Sequence, residues 1–225
     1  MNATDIVARL QKLSRPDQLE GMARYGINTE NALAVRIPDL RKIARDNGRD
    51  HGVALDLWAS GIHEARILAA MIDDPAKATD AQLEARVADF NSWDLCDQVC
   101  SNFFDKTRFA WDKTRQWSER PEEFVKRAGF TLMASLAVHD KQANDVAFLD
   151  LLPIIEREAC DGRNYVKKAV NWALRGIGKR NLNLHGAALT LAQTLCTFDD
   201  KAARWVGRDA SRELANEKTL SRLKG

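Results

Sequence analysis

Helix-forming segments that resemble one another recur along this 225-residue chain. Each segment opens with charged residues and then places a small residue where a neighbouring helix could approach. Counting a further segment at Trp93, the spacing is roughly 30–40 residues, which is typical of two-helix or three-helix solenoid repeats. The four segments are residues 63–70, 125–132, 166–173 and 201–206.

The composition supports this interpretation. The 12 glycines and 5 prolines are few for a chain of this length, alanine is abundant, and this combination favours helices over strands. We therefore predict an all-α fold, a HEAT- or armadillo-like helical repeat solenoid with a concave basic face, as a single domain over residues 1–225. A generic all-α bundle is the alternative, because periodicity alone cannot separate the two. The predicted breaks between helices are residues 73–75, 119–121, 161–163 and 197–200.

Basic side chains are concentrated towards the C-terminus. Residues 163–225 contain 13 Lys and Arg against 5 Asp and Glu, whereas residues 1–162 contain 21 against 27. Such a charge split favours a polyanionic partner for the basic half. A solvated helical surface that happens to be basic is the alternative.

Several classes of protein and site are disfavoured. No apolar run is long enough to span a bilayer and no signal-peptide pattern is present, so we expect a cytoplasmic protein with no membrane partner. P-loop, dinucleotide-binding and G-x-S-x-G motifs are missing. Cys96 and Cys100 stand one helical turn apart, but no other Cys or His pair has zinc-ligand spacing, so we expect reduced thiols, no metal and no other cofactor. The four cysteines are Cys96, Cys100, Cys160 and Cys196.

Trp172 falls in a helix predicted over residues 166–179, on the side nearly opposite the apolar one. A cationic surface with an embedded aromatic ring suits a nucleic acid, because Lys and Arg neutralise phosphates while the ring packs on a sugar or base. A tryptophan covered by a following helix is the alternative. The predicted DNA-binding residues that share this side with Trp172 are Lys168, Arg175 and Lys179.

Arg127 falls in a helix predicted over residues 124–138, on the same side as Thr131 and Ala134. Small neighbours leave an arginine room to project into a groove. Its planar fork can donate two hydrogen bonds to one phosphate. A surface salt bridge is the alternative.

Trp93 and Asp97 are four residues apart, so they are neighbours on a helix predicted from Trp93 to Phe104. They share their side with Cys100 and Phe104. A carboxylate beside an indole face can stabilise a developing cation, because both offer negative potential. The alternatives are that Asp97 forms a cap or a salt bridge, or that Asp94 caps the helix.

At these residues the chain resembles the DNA alkylation repair family, the AlkD-like proteins built from HEAT-like repeats. The resemblance extends from about Val35 to Trp205. No single motif decides it, whereas the ordered set is fairly specific. The motifs are Trp-Asp-x-x-Asp at residues 93–97, Lys-Arg-Ala at 126–128 and Lys-Ala-x-x-Trp-x-Leu-Arg at 168–175.

The resemblance implies cleavage of the N-glycosidic bond of N3- or N7-alkylated purines without a metal. By resemblance, Asp97 would stabilise the oxocarbenium-like deoxyribose or position water. Trp93 and Trp172 would pack against the sugar and backbone at the lesion, and Arg127 would hold a phosphate there. Active relatives also carry an N-terminal aromatic residue on the lesion-facing surface; here Met22 falls near that position and Tyr25 only close by, so no assignment follows.

We therefore expect a monomer that binds double-stranded DNA containing alkylated bases and acts as an alkylpurine DNA glycosylase. The family also includes members that bind DNA without detectable base excision. The main alternative is accordingly a non-catalytic HEAT-repeat protein that recognises branched or distorted DNA. A helical scaffold for protein partners is a third hypothesis, and it would lack the steep salt dependence of phosphate binding.

Overall fold

A computed structural model of the protein describes residues 1–224, in which helices are joined by turns and no β-strand occurs. Short 3₁₀ turns lie at Pro16–Gln18, Pro75–Lys77 and Phe104–Lys106. The α-helices are α1 Ala3–Lys12, α2 Leu19–Arg24, α3 Ile37–Asn47, α4 His51–Ala59, α5 His63–Ile72, α6 Asp80–Ala88, α7 Trp93–Asn102, α8 Ala110–Ser118, α9 Glu123–His139, α10 Asp145–Leu149, α11 Leu152–Glu158, α12 Asn164–Gly178, α13 Leu182–Cys196, α14 Lys201–Leu214 and α15 Glu217–Lys224.

The repeated segments of the sequence all form helices. The four similar segments lie in α5, α9, α12 and α14, and the Trp93 segment begins α7. These helices begin at His63, Trp93, Glu123, Asn164 and Lys201, which confirms the predicted spacing. The four predicted breaks all lie between α-helices, as expected.

The chain divides into two compact units, Met1–Arg108 and the residues from Phe109 onward. In the first unit α5 is central and packs against α3, α4 and α7. In the second unit α9 packs against α8 and α12, while α13 packs against α12 and α14. None of the described helices is both long enough and apolar enough to cross a membrane.

Glycine allows two helix pairs of the second unit to approach at backbone distance. A Cβ atom built on Gly129 of α9 would lie 2.6 Å from the backbone nitrogen of Ser118 in α8. A Cβ atom on Gly207 of α14 would lie 2.6 Å from the carbonyl oxygen of Ala192 in α13. Any larger residue at either position would force the helices apart, so the small residue in the segment of α9 does mark a close helix contact, as predicted.

The helices α12 and α14 lie side by side and run in the same direction. Three successive turns of α12 contact three successive turns of α14, and in three of these contacts the partners are 38 residues apart. A constant offset requires parallel helices, because antiparallel ones would pair at a decreasing offset. The pairs are Lys167 with Trp205, Asn171 with Asp209 and Arg175 with Glu213.

Candidate nucleic-acid interface

Trp93 and Asp97 lie one turn apart on α7 of the first unit, and both side chains are half-buried. The indole Nε1 of Trp93 donates a hydrogen bond to the backbone carbonyl oxygen of Tyr25 at 2.9 Å. This bond fixes the tryptophan and also holds the backbone of Tyr25, a residue that is 78% exposed. An exposed aromatic residue to which the sequence analysis assigned no role is therefore tied to Trp93.

The accessible part of α7 is shorter than predicted. Cys100 and Phe104 were expected to share the side of Trp93 and Asp97, but both are fully buried. The helix ends at Asn102, so Phe104 lies in a 3₁₀ turn and no longer follows the rotation of α7. Burial raises the pKa of Cys100 well above its usual value, as in a packing thiol.

Asp94 is engaged in holding α7 to α5. Its Oδ2 lies 2.8 Å from Nε2 of His63, and its Oδ1 accepts a hydrogen bond from Oγ of Ser92 at 2.8 Å. Ser92 occupies the N-cap position but its side chain makes no capping hydrogen bond, whereas the Asp94 carboxylate accepts a backbone hydrogen bond from Leu95 in the first turn. The two carboxylates of the Trp-Asp-x-x-Asp motif are thus separated in role: Asp94 pairs with His63, and Asp97 lies on the half-buried side with Trp93.

The pair of Asp94 with His63 shifts both ionisation equilibria. Burial alone would lower the pKa of His63, but the hydrogen bond and charge of Asp94 raise it above its usual value. Burial alone would raise the pKa of Asp94, but the hydrogen bond and charge of His63 hold it below its usual value. Both groups are therefore charged in the folded protein at pH values between the lowered pKa and the raised one.

We expect the contribution of His63 to stability to disappear as the pH rises above neutrality. Folded His63 holds its proton more tightly than the unfolded chain does. Its stabilisation is therefore complete below the unfolded pKa of about 6.5 and is lost as the pH rises through the raised, folded pKa. Urea unfolding of the wild type and of His63→Gln across this range tests the prediction. The difference in their unfolding free energies should shrink with rising pH, and a constant difference would contradict the ion pair.

In the second unit, Arg127 does not lie on an exposed face. Its side chain is buried, with 5% of the residue exposed, and its Nη1 donates a hydrogen bond to the carbonyl oxygen of Tyr165 in α12 at 2.6 Å. Thr131 and Ala134, on the same side, are fully buried because α9 lies against both α8 and α12. The predicted exposure was wrong: these small residues admit a neighbouring helix and do not line a groove. The implied phosphate contact of Arg127 stays a prediction.

Trp172 is half-buried and lines an open groove of about 460 Å³ in the second unit. Val138 and Lys141, at and after the end of α9, form part of the same groove, together with Lys179. The ring is therefore partly accessible and is not fully covered by the following helix. Lys141, Lys179 and Arg180 line the groove together with one carboxylate, that of Asp145, so cations outnumber anions on its lining.

The predicted basic face of α12 is partly neutralised by α14. Arg175 pairs with Glu213 and lies 3.7 Å from Asp209, while Nζ of Lys179 lies 2.6 Å from Glu213. Lys179 is exposed as predicted, but the Arg175 side chain is only 26% exposed because it lies between α12 and α14. Lys168 is exposed and has no ion pair within residues 1–224. Lys168 is thus the member of the predicted set with an unpaired charge.

Comparison with known proteins identifies the family of this chain. A family model described as DNA alkylation repair enzyme matches residues 6–214. The chain belongs to the DNA alkylation repair enzyme family. The motifs at residues 93–97, 126–128 and 168–175 all fall within the matched range, which confirms the resemblance. The sequence of this DNA alkylation repair family member has no significant match among curated proteins.

Comparison with a solved structure supports the fold of this family member. A protein from "a new family of proteins related to the HEAT-like repeat DNA glycosylases with affinity for branched DNA structures" is 19% identical, with a TM-score of 0.83, covering 99% of this chain and 96% of that one. This likeness shows the fold alone and confirms the predicted HEAT-like, all-α class. A designed armadillo repeat protein in complex with the peptide (KR)4 is 14% identical, with a TM-score of 0.36, covering 96% of this chain and 95% of that one.

Proposed function

We propose that this DNA alkylation repair family member is a DNA glycosylase that hydrolyses the N-glycosidic bond of N3- or N7-alkylated purines. The observation that carries the proposal is the arrangement of the family motif on α7. Asp97 and Trp93 lie one turn apart on α7, and both residues are half-buried. A carboxylate and an indole therefore lie at one place, where a cationic sugar could be stabilised.

The chemistry suits these two groups. Alkylation at N3 or N7 places a positive charge on the purine, so the base departs with the bonding electron pair as a neutral molecule. Strong acid assistance is therefore unnecessary. The deoxyribose acquires positive charge at C1′, which the Asp97 carboxylate stabilises, and Trp93 adds the negative potential of its ring face. Water then adds to C1′ and releases one proton.

The second unit contributes DNA binding in this proposal. Trp172 in its groove packs against the sugar–phosphate backbone, while Lys168 and Lys141 neutralise phosphates. Tyr25, exposed and tied through its carbonyl oxygen to Trp93, offers a further ring in the first unit. Exposed aromatic rings beside cations are the groups that nucleic-acid surfaces use for backbone and base packing.

The decisive experiment is incubation of the protein with duplex DNA that contains one N7-methylguanine, followed by alkaline cleavage of abasic sites. We expect strand cleavage at the modified position in an amount that grows with time. An unmodified duplex and the Asp97→Asn variant serve as controls. Absence of cleavage above the spontaneous loss of the base would contradict the enzymatic proposal.

A second candidate function is non-catalytic recognition of branched or distorted DNA. It is favoured by the structural neighbour, which is described as having affinity for branched DNA structures. The two functions differ in a binding comparison: the second requires tighter binding to a four-way junction than to an intact duplex of equal length. Tighter junction binding together with no excision would replace the first proposal by the second.

Lys168→Glu is expected to weaken duplex binding about tenfold and to lower the slope of log K against log salt by about one, because one phosphate contact is lost. Lys168 is exposed and unpaired among the described residues, so the melting temperature should not change. Lys218→Glu, an exposed change on α15, is the matched control and should bind like the wild type. Arg175→Glu is unsuitable, since it would set two carboxylates against each other at Glu213. Equal binding by both variants would remove Lys168 from the interface.

A further inference from the structure

The solvent-facing side of α14 is a second cationic surface, separate from the Trp172 groove. Its residues line an open groove of about 410 Å³. The opposite side of α14 is fully buried at Ala203, Val206 and Ala210, which pack into the core of the second unit. We call this surface the α14 basic face, and its groove is lined by Lys201, Arg204, Trp205, Arg208, Asp209 and Arg212.

Positive charge dominates the α14 basic face. Lys201 and Arg208 are exposed and have no ion pair within residues 1–224. Arg212 pairs with Asp209, yet its side chain stays 77% exposed. Asp209 itself lies towards α12, where it accepts a hydrogen bond from Asn171. Arg204 lies 3.6 Å from the exposed carboxylate of Asp199, and Asp209 also lines the groove, so the α14 basic face carries four cations against these two carboxylates.

Trp205 lies in the middle of these cations. It is 38% exposed, and Nζ of Lys167 in α12 lies 4.8 Å from the centroid of its ring. This cation–π contact orients the ring without burying it. Because the core side of α14 is already filled by small and aliphatic residues, apolar burial does not account for a tryptophan here. An oriented, accessible ring between cations is suited to stacking on a planar group.

The spacing of cations and ring along α14 suits a polyanion that also carries planar groups. Lys201 precedes Trp205 by four residues and Arg208 follows it by three, so each cation lies about one turn, or roughly 4.5–6 Å, from Trp205 along the helix axis. Surfaces that bind single strands combine a cationic track for the backbone with rings on which bases stack. In an intact duplex the bases already stack on each other and leave no face for such a ring.

We propose that the α14 basic face binds an unpaired stretch of DNA, with a base stacked on Trp205 and phosphates paired with Lys201 and Arg208. This inference depends on the proposed function in one respect, namely that the polyanion bound by the protein is DNA. It deepens that function, because α12 and α14 are neighbours and run in parallel. The Trp172 groove then takes duplex backbone while the α14 basic face takes a strand that has separated from it. The substrate class becomes DNA that is locally unpaired.

The test uses the whole protein and fluorescence anisotropy with labelled oligothymidylate of about 12 nucleotides, which is within the range of known single-strand site sizes. We expect Trp205→Ala to weaken binding about tenfold, whereas Trp205→Phe keeps a ring and stays within about twofold of the wild type. Arg208→Glu should also weaken binding and lower the salt slope by about 0.7, the value for one single-strand phosphate. Lys218→Glu is the control for a charge change elsewhere.

The outcomes separate this site from the enzymatic proposal. Equal binding by Trp205→Ala and the wild type would overturn the stacking site, and equal binding by Arg208→Glu would overturn the phosphate contacts. A loss shared by Trp205→Ala and Trp205→Phe would also contradict stacking, since phenylalanine retains a ring. Excision of N7-methylguanine from a fully paired duplex should be nearly the same in all four variants. If the wild type excises nothing while oligothymidylate binding still depends on Trp205, the glycosylase proposal fails and the α14 site stands.

Discussion

Replacing Asp97 by asparagine is expected to lower the rate of N7-methylguanine excision by about 10²–10³-fold, while duplex affinity stays the same or rises slightly. The amide keeps the shape of the carboxylate but not its charge, so the developing sugar cation loses its main electrostatic partner. A loss of this size is typical when one preorganised group is removed from a reacting centre. Single-turnover kinetics with saturating protein measure the chemical step apart from binding. A weak background should survive, because a cationic base is already a good leaving group.

The matched control for this variant is Asp94→Asn. Asp94 is bonded to His63 and Ser92, so its replacement should lower the stability of the first unit far more than it lowers the rate at a temperature where the protein is folded. Wild-type excision by Asp97→Asn would exclude the electrostatic role. Equal rate losses in both variants at full folding would mean that the charge of α7 matters, but not the position of Asp97 beside Trp93.

Replacing Arg127 by alanine is expected to destabilise the second unit by about 3 kcal/mol, whatever its effect on DNA. The change removes a buried side chain and leaves the carbonyl oxygen of Tyr165 without this hydrogen-bond donor. Cavity formation and an unsatisfied buried acceptor each cost about 1–3 kcal/mol or more. The melting temperature should fall by roughly 10 °C in a domain of this size. Thermal unfolding followed by circular dichroism measures it.

Arg127→Met separates packing from hydrogen bonding at this position. Methionine fills most of the volume, so we expect about half of the stability to return while the bond to Tyr165 remains lost. Excision assays on either variant are informative only well below its melting temperature. A melting temperature for Arg127→Ala within about 2 °C of the wild type would contradict the structural role and return Arg127 to the surface as a phosphate ligand.

The helices and their repeat spacing could be predicted because they depend on local sequence. Apolar residues at helical intervals, with Asp, Gly and Pro between segments, are enough to define α5, α9, α12 and α14. The fold class follows, since such segments bury their apolar sides only by stacking. The same periodicity gave Trp93, Asp97 and Trp172 as residues outside the main apolar side, and all three are half-buried.

The burial of Arg127 could not be predicted from the periodicity of α9. A helical pattern shows which side is most apolar, but it does not show whether a second neighbour covers the opposite side. In α9 a second neighbour does cover the opposite side. Gly129 and its small neighbours indicated this coverage, because close helix contact needs small residues on every covered side. Small residues around an arginine therefore fit a buried, hydrogen-bonded guanidinium as well as they fit a groove.

The ion pairs of Arg175 and Lys179 could not be predicted from the residue pattern of α12 alone, for a different reason. Their partner Glu213 is more than 30 residues away in sequence, on a helix whose register relative to α12 is a tertiary property. One hint was available: α14 carries Asp209 and Glu213 one turn apart, and α12 carries Asn171 and Arg175 at the same interval. Two helices with matching polar turns at a repeat distance are candidates for mutual pairing.

The parallel arrangement of α12 and α14 makes the two ends of the surface formed by these helices electrically different. Each helix carries partial positive charge at its N-terminus and partial negative charge at its C-terminus, and parallel neighbours add these ends together. At the N-terminal end of α14 the carboxylate of Asp200 caps the helix beside Lys201, whereas Arg175 and Arg212 lie in the last turns, where they offset the negative ends. A strand lying across both helices therefore meets different charges at the two edges. Two opposite placements of the same strand differ in energy even when they contact the same side chains.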